Sequence, residues 1–518
     1  MVNIQIGIIG TKIAGWRLLL DQEGVPYSSW NNSTPDNFSV VVVADDLPEQ
    51  CISQIRDYLS HGGSVLCSGS VYTKISGIAC RRVFIKYLLE EKPSSLFPVE
   101  LVDLDMYGYI HPDANALTLN NNQNAVYCGE YGGGYVVVLP VDAGEIILDA
   151  RAAPKSFYAQ RHRLPYEEVA RVSKGGVRQL VSRSLEILHH RRAMPYIHKW
   201  YFPQNTPTIF GWRIDTDYAN EEQIRYLFKL LHEYQIPATW FIDVKSQERY
   251  LPFYKEMTGH EIGVHCYEHR KFTDVAGNIA DLQAAVTVLK KNGIPVSGYA
   301  APFGYWNKEF TPHLQGSNIV YSSEFSYDYE NVPSFPVVLD QPEQTMQVPA
   351  HPISIGNLRR QGFGEQEMVT YYTLAMERMI SRHVPMILYY HPSNGFHNVV
   401  RTIFEFVKHS KLPVMKLLDY ARWWQKRNEM AFACTMEHRT VNLKTSAPAD
   451  DVWIHIVQSD GTECIVPFRD SIDLDAMMWQ MRTMQSPIPD DIERIRKFNP
   501  WIMIQDIENN TIGKLKRR

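Results

Sequence analysis

Short β-branched runs separated by stretches with an apolar residue every third or fourth position fill the first ninety residues of the chain. Ile4 to Ile9 and Ser39 to Ala44 are continuous runs of the buried-strand kind. Pro48 to Leu59 carries its apolar side chains at helical spacing and is stopped by Gly62-Gly63, after which Ser64 to Cys67 gives a third strand. This alternation predicts a parallel, doubly wound sheet. From about residue 98 the pattern changes. Short strands around Leu117, Val126, Tyr135 to Leu139 and Ile146 to Leu148 sit between Asn- and Gly-rich turns (Asn120 to Asn122, Gly132 to Gly134) and complete or cap a first domain over residues 1–150.

Residues 151–204 read as a helical connector, with Val177, Leu180, Val181, Leu185 and Leu188 on one face and a boundary at Pro203 and Pro207. Over 205–427 strands (Ile209 to Ile214, Ala238 to Ile242, Met386 to Tyr390) again alternate with helices. One of these helices has Ile279, Leu282, Val286 and Leu289 on its apolar face and stops at Gly293. Repeated βα units over this length predict a parallel barrel or near-barrel. In residues 428–518 the period falls to two: Val452, Ile454 and Ile456 alternate with Trp453, His455 and Val457 before the turn Ser459-Asp460-Gly461. The return strand Glu463 to Val466 makes a hairpin, read as part of a small β-sandwich.

Composition narrows the function classes. The 518 residues are 45% hydrophobic and 21% charged, which excludes a mostly disordered chain. A net charge of -5 gives no field of either sign to draw nucleic acid or anionic lipid, and the basic tail Lys514, Lys516, Arg517, Arg518 reads as a solvated end. No run approaches the roughly 18 apolar residues of a membrane span. Seven scattered cysteines without a C-x-x-C pair indicate neither a disulfide framework nor a cysteine zinc site, and the N-terminus lacks signal-peptide features, so the expected compartment is the cytoplasm.

Candidate chemistry gathers at predicted strand ends. Arg213-Ile214-Asp215-Thr216-Asp217 closes the strand Ile209 to Ile214; if the strand continues, Asp215 and Asp217 point the same way roughly 7 Å apart. Two such carboxylates repel, and a metal ion relieves the repulsion. The competing reading is that they cap the helix beginning near Asn220. His265 and His269, four apart, share one face of a helical turn and can bind one metal ion, although 18 histidines in 518 positions give about 0.6 such pairs by chance. His391 follows the strand Met386 to Tyr390. Ala301-Pro302-Phe303-Gly304-Tyr305-Trp306 is a Pro/Gly turn crowded with aromatics, either an ordinary loop or a backbone donor beside a sugar-binding wall.

In this order the pieces resemble the polysaccharide deacetylase family (NodB homology domain), metal-dependent N-deacetylases, over about residues 205–425. The family's paired aspartates correspond to Asp215 and Asp217 in D-x-D form, its H-x-x-x-H to His265 and His269 behind Gly259-His260-Glu261-Ile262-Gly263, its R-x-P-Y-G to Ala300 through Gly304, and its L-x-x-H-P to Leu388 through Pro392. The resemblance implies a distorted (β/α) barrel. It also implies a divalent ion, most simply zinc, on Asp217, His265 and His269, with Asp215 as base, His391 as acid and the Phe303 N–H at the oxyanion. Ala300 stands where the family has an arginine that orients the base; Arg213, on the predicted strand face of Asp215, is expected to supply that contact. Tyr299, Phe303, Tyr305 and Trp306 are candidate walls against a sugar ring.

More faintly, residues 1–150 resemble a class I glutamine-amidotransferase-like domain of flavodoxin type, through Gly62-Gly63-Ser64-Val65-Leu66-Cys67-Ser68-Gly69. Cys67 lacks an evident histidine and acid, so a structural or binding domain is expected there. Gly7, Gly10 and Gly15 do not meet G-x-G-x-x-G, which leaves a dinucleotide site unsupported. The expected architecture is therefore α/β: a flavodoxin-like domain, a central distorted barrel and a C-terminal β-rich domain. Three functions stay open: an N-deacetylase of an amino sugar or a small, nucleotide-linked or lipid-linked saccharide precursor, a hydrolase of another C–N bond such as a cyclic amide, and a non-catalytic saccharide-binding protein.

Overall fold

The computed structural model describes the chain except residues 31–36, 46, 91–100, 120, 162–163, 271–273, 483–503 and 505–518. Asn120 and the basic tail from Lys514 lie outside the described residues.

The first sheet has nine strands. Its parallel part runs β2 (Tyr27–Ser29), β1 (Ile6–Ile9), β3 (Val40–Val43), β4 (Ser64–Ser68) and β5 (Gly134–Leu139), and four antiparallel strands between residues 81 and 131 extend it. Val40 to Val43 are all buried, as a strand covered on both faces requires. The helix Lys174–Arg191 lies within residues 151–204, read as a connector. Its stripe of Val177, Leu180, Val181, Leu185 and Leu188 is buried in one cluster with Ile6, Ile8, Val42, Leu66 and Val137 of the sheet. Burial of this kind contributes roughly 1.5–3 kcal/mol per large side chain, which is why such a stripe does not stay on a solvated linker. The same segment also holds the antiparallel ribbon Ala152–Ser156/Tyr166–Ala170 and the strand Tyr196–Lys199.

The hairpin read from period two is present as Trp453–Val457 and Thr462–Pro467, with Gly461 at φ 82° in its turn. Strands from elsewhere complete its surroundings. Tyr196–Lys199 pairs antiparallel with Trp453–Val457, and Val2–Asn3 pairs with Phe432–Glu437 in a second four-stranded sheet. Ile4, Ile197, Cys434, Val441, Leu443, Ile454 and Ile456 form the apolar layer shared by the two sheets.

The central sheet is wholly parallel, seven strands in the order β11 (Met346–Gln347), β10 (Tyr321–Ser322), β9 (Gly298–Tyr299), β8 (Glu261–Cys266), β7 (Ala238–Asp243), β6 (Phe210–Asp215) and β12 (Met386–Tyr390). Its two edge strands do not pair with each other among the described residues, so the expected barrel or near-barrel takes the form of a curled half-barrel. Closure demands enough long, tilted strands to meet, and β9, β10 and β11 are two residues each. Buried ties join the units: Arg178 donates to Glu23 at 2.7 Å and to Asn331 at 2.9 Å, and Arg427 donates to the carbonyls of Gln22, Glu23 and Lys199. No helix among the described residues is long and apolar enough to cross a membrane.

Candidate active site

The candidate residues converge because parallel neighbours deliver their C-terminal ends to one edge. In register, Asp215 of β6 stands beside Phe241 of β7 and Ile214 beside Tyr390 of β12, while His265 lies one residue before the end of β8. β6 stops at Asp215. Thr216 still donates its N–H to the Phe241 carbonyl at 3.1 Å and its hydroxyl accepts the Asp243 N–H at 3.0 Å, and the chain then turns, with the Ala219 N–H bonded to the Thr216 carbonyl at 3.0 Å. The two aspartates therefore do not share an extended face as expected. Neither caps the next helix: Asn220 caps Glu221–Tyr234 itself, in a reciprocal box with Gln223.

Asp217 meets three imidazoles. Its carboxylate lies 3.0 Å from Nε2 of His265, 3.0 Å from Nε2 of His269 and 3.5 Å from Nε2 of His391. The histidine pair is not on a helical turn: His265 is the penultimate residue of a strand and His269 follows the bend at Tyr267 and Glu268, the spacing of four being spanned by a strand end that turns over the site. Nδ1 of His265 is 2.6 Å from the Ala300 carbonyl, which can only accept, so Nε2 is the nitrogen turned to Asp217. Ligand atoms of Asp217, His265 and His269 all lie within 4.8 Å of one another. Nε2 of His265 and Oδ1 of Asp217 are both buried and neither makes a well-formed hydrogen bond. Buried polar atoms of this kind require compensation, and two facing donor atoms of the nitrogen and oxygen type suit a divalent cation.

The electrostatics agree with that fit. Burial pushes Asp217 up, but His265, His269 and His391 more than offset it and hold the carboxyl well below its usual range. Burial pushes His265 down, yet the Asp217 carboxylate lifts it to about 9. In the residues alone, a proton on His265 supplies the positive charge that Asp217 attracts; a divalent ion supplies the same compensation.

Arg213 makes the expected contact. Its guanidinium grips Asp215 with two bonds, Nε to Oδ1 at 2.8 Å and Nη2 to Oδ2 at 2.7 Å, and it also donates to the carbonyl and hydroxyl of Ser323. Both partners are buried, as is Ala300, the residue in the place of the usual arginine. Burial pushes Asp215 up, while Arg213 and His265 pull it below the ordinary value, so the carboxylate stays ionised. Bidentate geometry also fixes its rotamer.

The aromatic candidates divide. Phe303 is 57% exposed, with its ring 4.8 Å from that of His269, and Tyr305 is exposed too. Tyr299 and Trp306 are buried, packed on Phe310 at 5.7 Å and Tyr327 at 4.6 Å; they belong to the core and are not walls, because the short strand β9 and the turn after it direct them inward. Cys67 is fully buried within β4, and burial and nearby Asp45 push its thiol well up, which is unfavourable for a nucleophile.

Sequence reasoning missed three neighbours of the site. Asp243 ends β7, with Oδ2 buried and unpartnered and its carboxyl raised by burial; an acid closing the apolar run Thr239 to Ile242 was its only signal. Glu324 accepts the Ala301 N–H at 3.0 Å and is raised by burial. Tyr218, just after the D-x-D motif and outside its pattern, is 66% exposed.

A half-buried carboxylate and two histidines thus stand at the strand ends of a parallel half-barrel, beside an arginine-clamped aspartate. The polysaccharide deacetylase family model matches residues 212–319, and the resemblance carried by the motifs holds for this stretch. Among solved structures the chain is similar to a candidate polysaccharide deacetylase from Mycobacterium smegmatis (15% identity, TM-score 0.40, covering 46% of this chain and 98% of that one). It is also similar to Puue allantoinase (16%, 0.34, 43% and 92%) and to a mutant of the peptidoglycan deacetylase PdaC from Bacillus subtilis (12%, 0.31, 43% and 94%). A search of curated proteins finds no match.

Proposed function

We propose that the central unit is a divalent-metal-dependent N-deacetylase acting on an acetylated amino sugar or saccharide precursor. The observation that carries this reading is the Asp217, His265 and His269 trio, whose ligand atoms lie within 4.8 Å of one another, set beside the Arg213–Asp215 pair. Those three residues would hold the ion, with zinc the simplest choice for two imidazoles and a carboxylate. When bound, such an ion acidifies water and polarises an acyl carbonyl.

The chain's own groups divide the remaining work. Asp215, kept ionised and oriented by Arg213, takes the proton from water as its oxygen adds to the acyl carbon. The backbone N–H of Phe303 donates to the oxygen on which negative charge develops. His391, partly exposed at the end of β12, gives a proton to the departing amine as the C–N bond breaks, leaving a carboxylate and a free amine. Near-neutral net charge suits an uncharged sugar ring.

The test supplies the zinc-loaded full chain with N-acetylglucosamine oligomers and, separately, with cyclic amides. Acetate release from the oligomers supports the proposal. Ring-opened product or ammonia from the cyclic amides alone would replace it with hydrolysis of another C–N bond, and a chain that takes up no divalent ion would leave only saccharide binding.

A further inference from the structure

We infer that Tyr218 is a specificity-determining residue of this site, presenting a ring face on which the pyranose of an N-acylated amino sugar stacks. The inference rests on the deacetylase reading and names how that site selects a sugar-borne acyl group.

Tyr218 directly follows the proposed ligand Asp217 and takes φ 50°, in the left-handed region. Glycine enters that region freely, whereas a tyrosine meets a clash between its Cβ and the backbone. Strain of this kind persists only where the surroundings impose it, and here the turn is held by Ala219 N–H to the Thr216 carbonyl at 3.0 Å. The residue is 66% exposed. The ring is nonetheless placed: Tyr218 Oη donates to the His269 carbonyl at 3.3 Å, and its ring meets the His269 ring near edge-on at 5.6 Å.

Phe303 repeats the arrangement independently. Its backbone sits at φ 62°, ψ 12°, the residue is 57% exposed, and its ring also borders His269. Two aromatics projected from left-handed backbone thus flank one proposed metal ligand, while Tyr299 and Trp306 of the same neighbourhood lie in the core. The apolar face of such a ring matches the C–H face of a sugar, while the Tyr218 hydroxyl is engaged with the His269 carbonyl. Phe303 reaches the reaction through its backbone; Tyr218 has no role in the proton transfers, which leaves recognition as the use of its ring.

The test compares Tyr218→Gly and Tyr218→Phe with the parent full-length chain, zinc-loaded, using the N-acetylglucosamine tetramer. Acetate release gives KM and kcat, and calorimetry in a D215N background gives affinity without turnover. Expected for Tyr218→Gly is at least a tenfold rise in KM and a matching loss of affinity, with kcat within threefold, zinc content unchanged and a melting temperature no lower than the parent's because the strain is relieved. Tyr218→Phe should keep KM within threefold. An unchanged KM and affinity in Tyr218→Gly overturn the inference alone. So does a Tyr218→Phe variant as impaired as Tyr218→Gly, which would assign the effect to the hydroxyl's hold on the His269 loop. A parent that neither releases acetate nor binds the tetramer overturns the deacetylase reading, and this inference with it.

Discussion

The parallel strands of both large sheets carry carboxylates beyond their ends, and the two clusters behave in opposite ways. In the first domain, Asp45 lies after β3 and Asp142 after β5. Asp45 accepts the hydroxyls of Ser68 and Ser70, while Asp142 accepts the backbone N–H groups of Asp45, Gly144 and Glu145. These groups satisfy one another, and burial together with Asp45 raises Asp142 to about 6. In the central sheet the partners of Asp217 are histidines, its carboxyl is held well below the usual range, and its oxygens face three imidazole nitrogens at 3.0 to 3.5 Å. A strand's C-terminal edge is a place where ligands collect in both architectures. What separates a candidate centre from a closed turn is the sign of the neighbouring charge and the convergence of nitrogen and oxygen ligand atoms on one point.

That contrast breaks most readily at Asp217. Asp217→Asn should lower acetate release by about a thousandfold or more, since it removes both a ligand and the charge opposing His265 and His269; a rate within tenfold of the parent would show that the trio is not the centre. Arg213→Ala should lower kcat by roughly a hundredfold while zinc content stays near the parent's, because Arg213 acts on Asp215 and not on the trio. Equal loss of zinc and rate would contradict that division. Since a buried carboxylate left without its partner is costly, Arg213→Lys, which keeps the charge and loses the paired grip, should fold and still show a reduced kcat.

A pH series sharpens the comparison at a smaller scale. Burial holds His189 at about 4 and His198 at about 3, whereas unfolded histidine titrates near 6.5. Below that pH the unfolded chain binds protons that the folded chain refuses. Stability contributed by these two residues is therefore complete above about pH 6.5 and falls as pH drops towards 4. Asp142 runs the other way: raised to about 6, it favours folding most below its unfolded value and loses that contribution as pH rises through 6. With the two histidines dominant, the melting temperature should fall by roughly 5 °C between pH 7 and pH 5; a rise over the same range would assign the greater weight to Asp142. The smallest effect is expected at the closed cluster, where Asp45→Asn should change acetate release by less than about twofold, its hydroxyl partners being free to rotate.

Much of the central site was legible because its parts are local. Asp215, Asp217, His265 and His391 each stand at or just past the end of an apolar run, and alternation with helices identifies those runs as parallel strands. The orientation of Arg213 could be read from two-residue strand periodicity. Spacing of four between His265 and His269 was ambiguous, since a strand end followed by a bend spans the same distance as a helical turn. Partners distant in sequence left no trace: the stripe from Val177 to Leu188 announces a buried face without saying that the first sheet covers it, and nothing in Val2–Asn3 marks it as the neighbour of Phe432–Glu437. Tyr299 and Trp306 have the composition of a binding wall, and only tertiary packing shows that they face inward. Tyr218 is invisible for a different reason, because a left-handed backbone beneath a tyrosine is a departure from local preference that the sequence does not advertise.

The central claim is that the two strand-end clusters differ as an ion site differs from a closed turn. Zinc titration of the metal-stripped full chain by calorimetry, alongside Asp217→Asn and Asp45→Asn, addresses it directly. The expected result is one equivalent bound by the parent and by Asp45→Asn, and none by Asp217→Asn; zinc binding that survives in Asp217→Asn, or that disappears in Asp45→Asn, would contradict it.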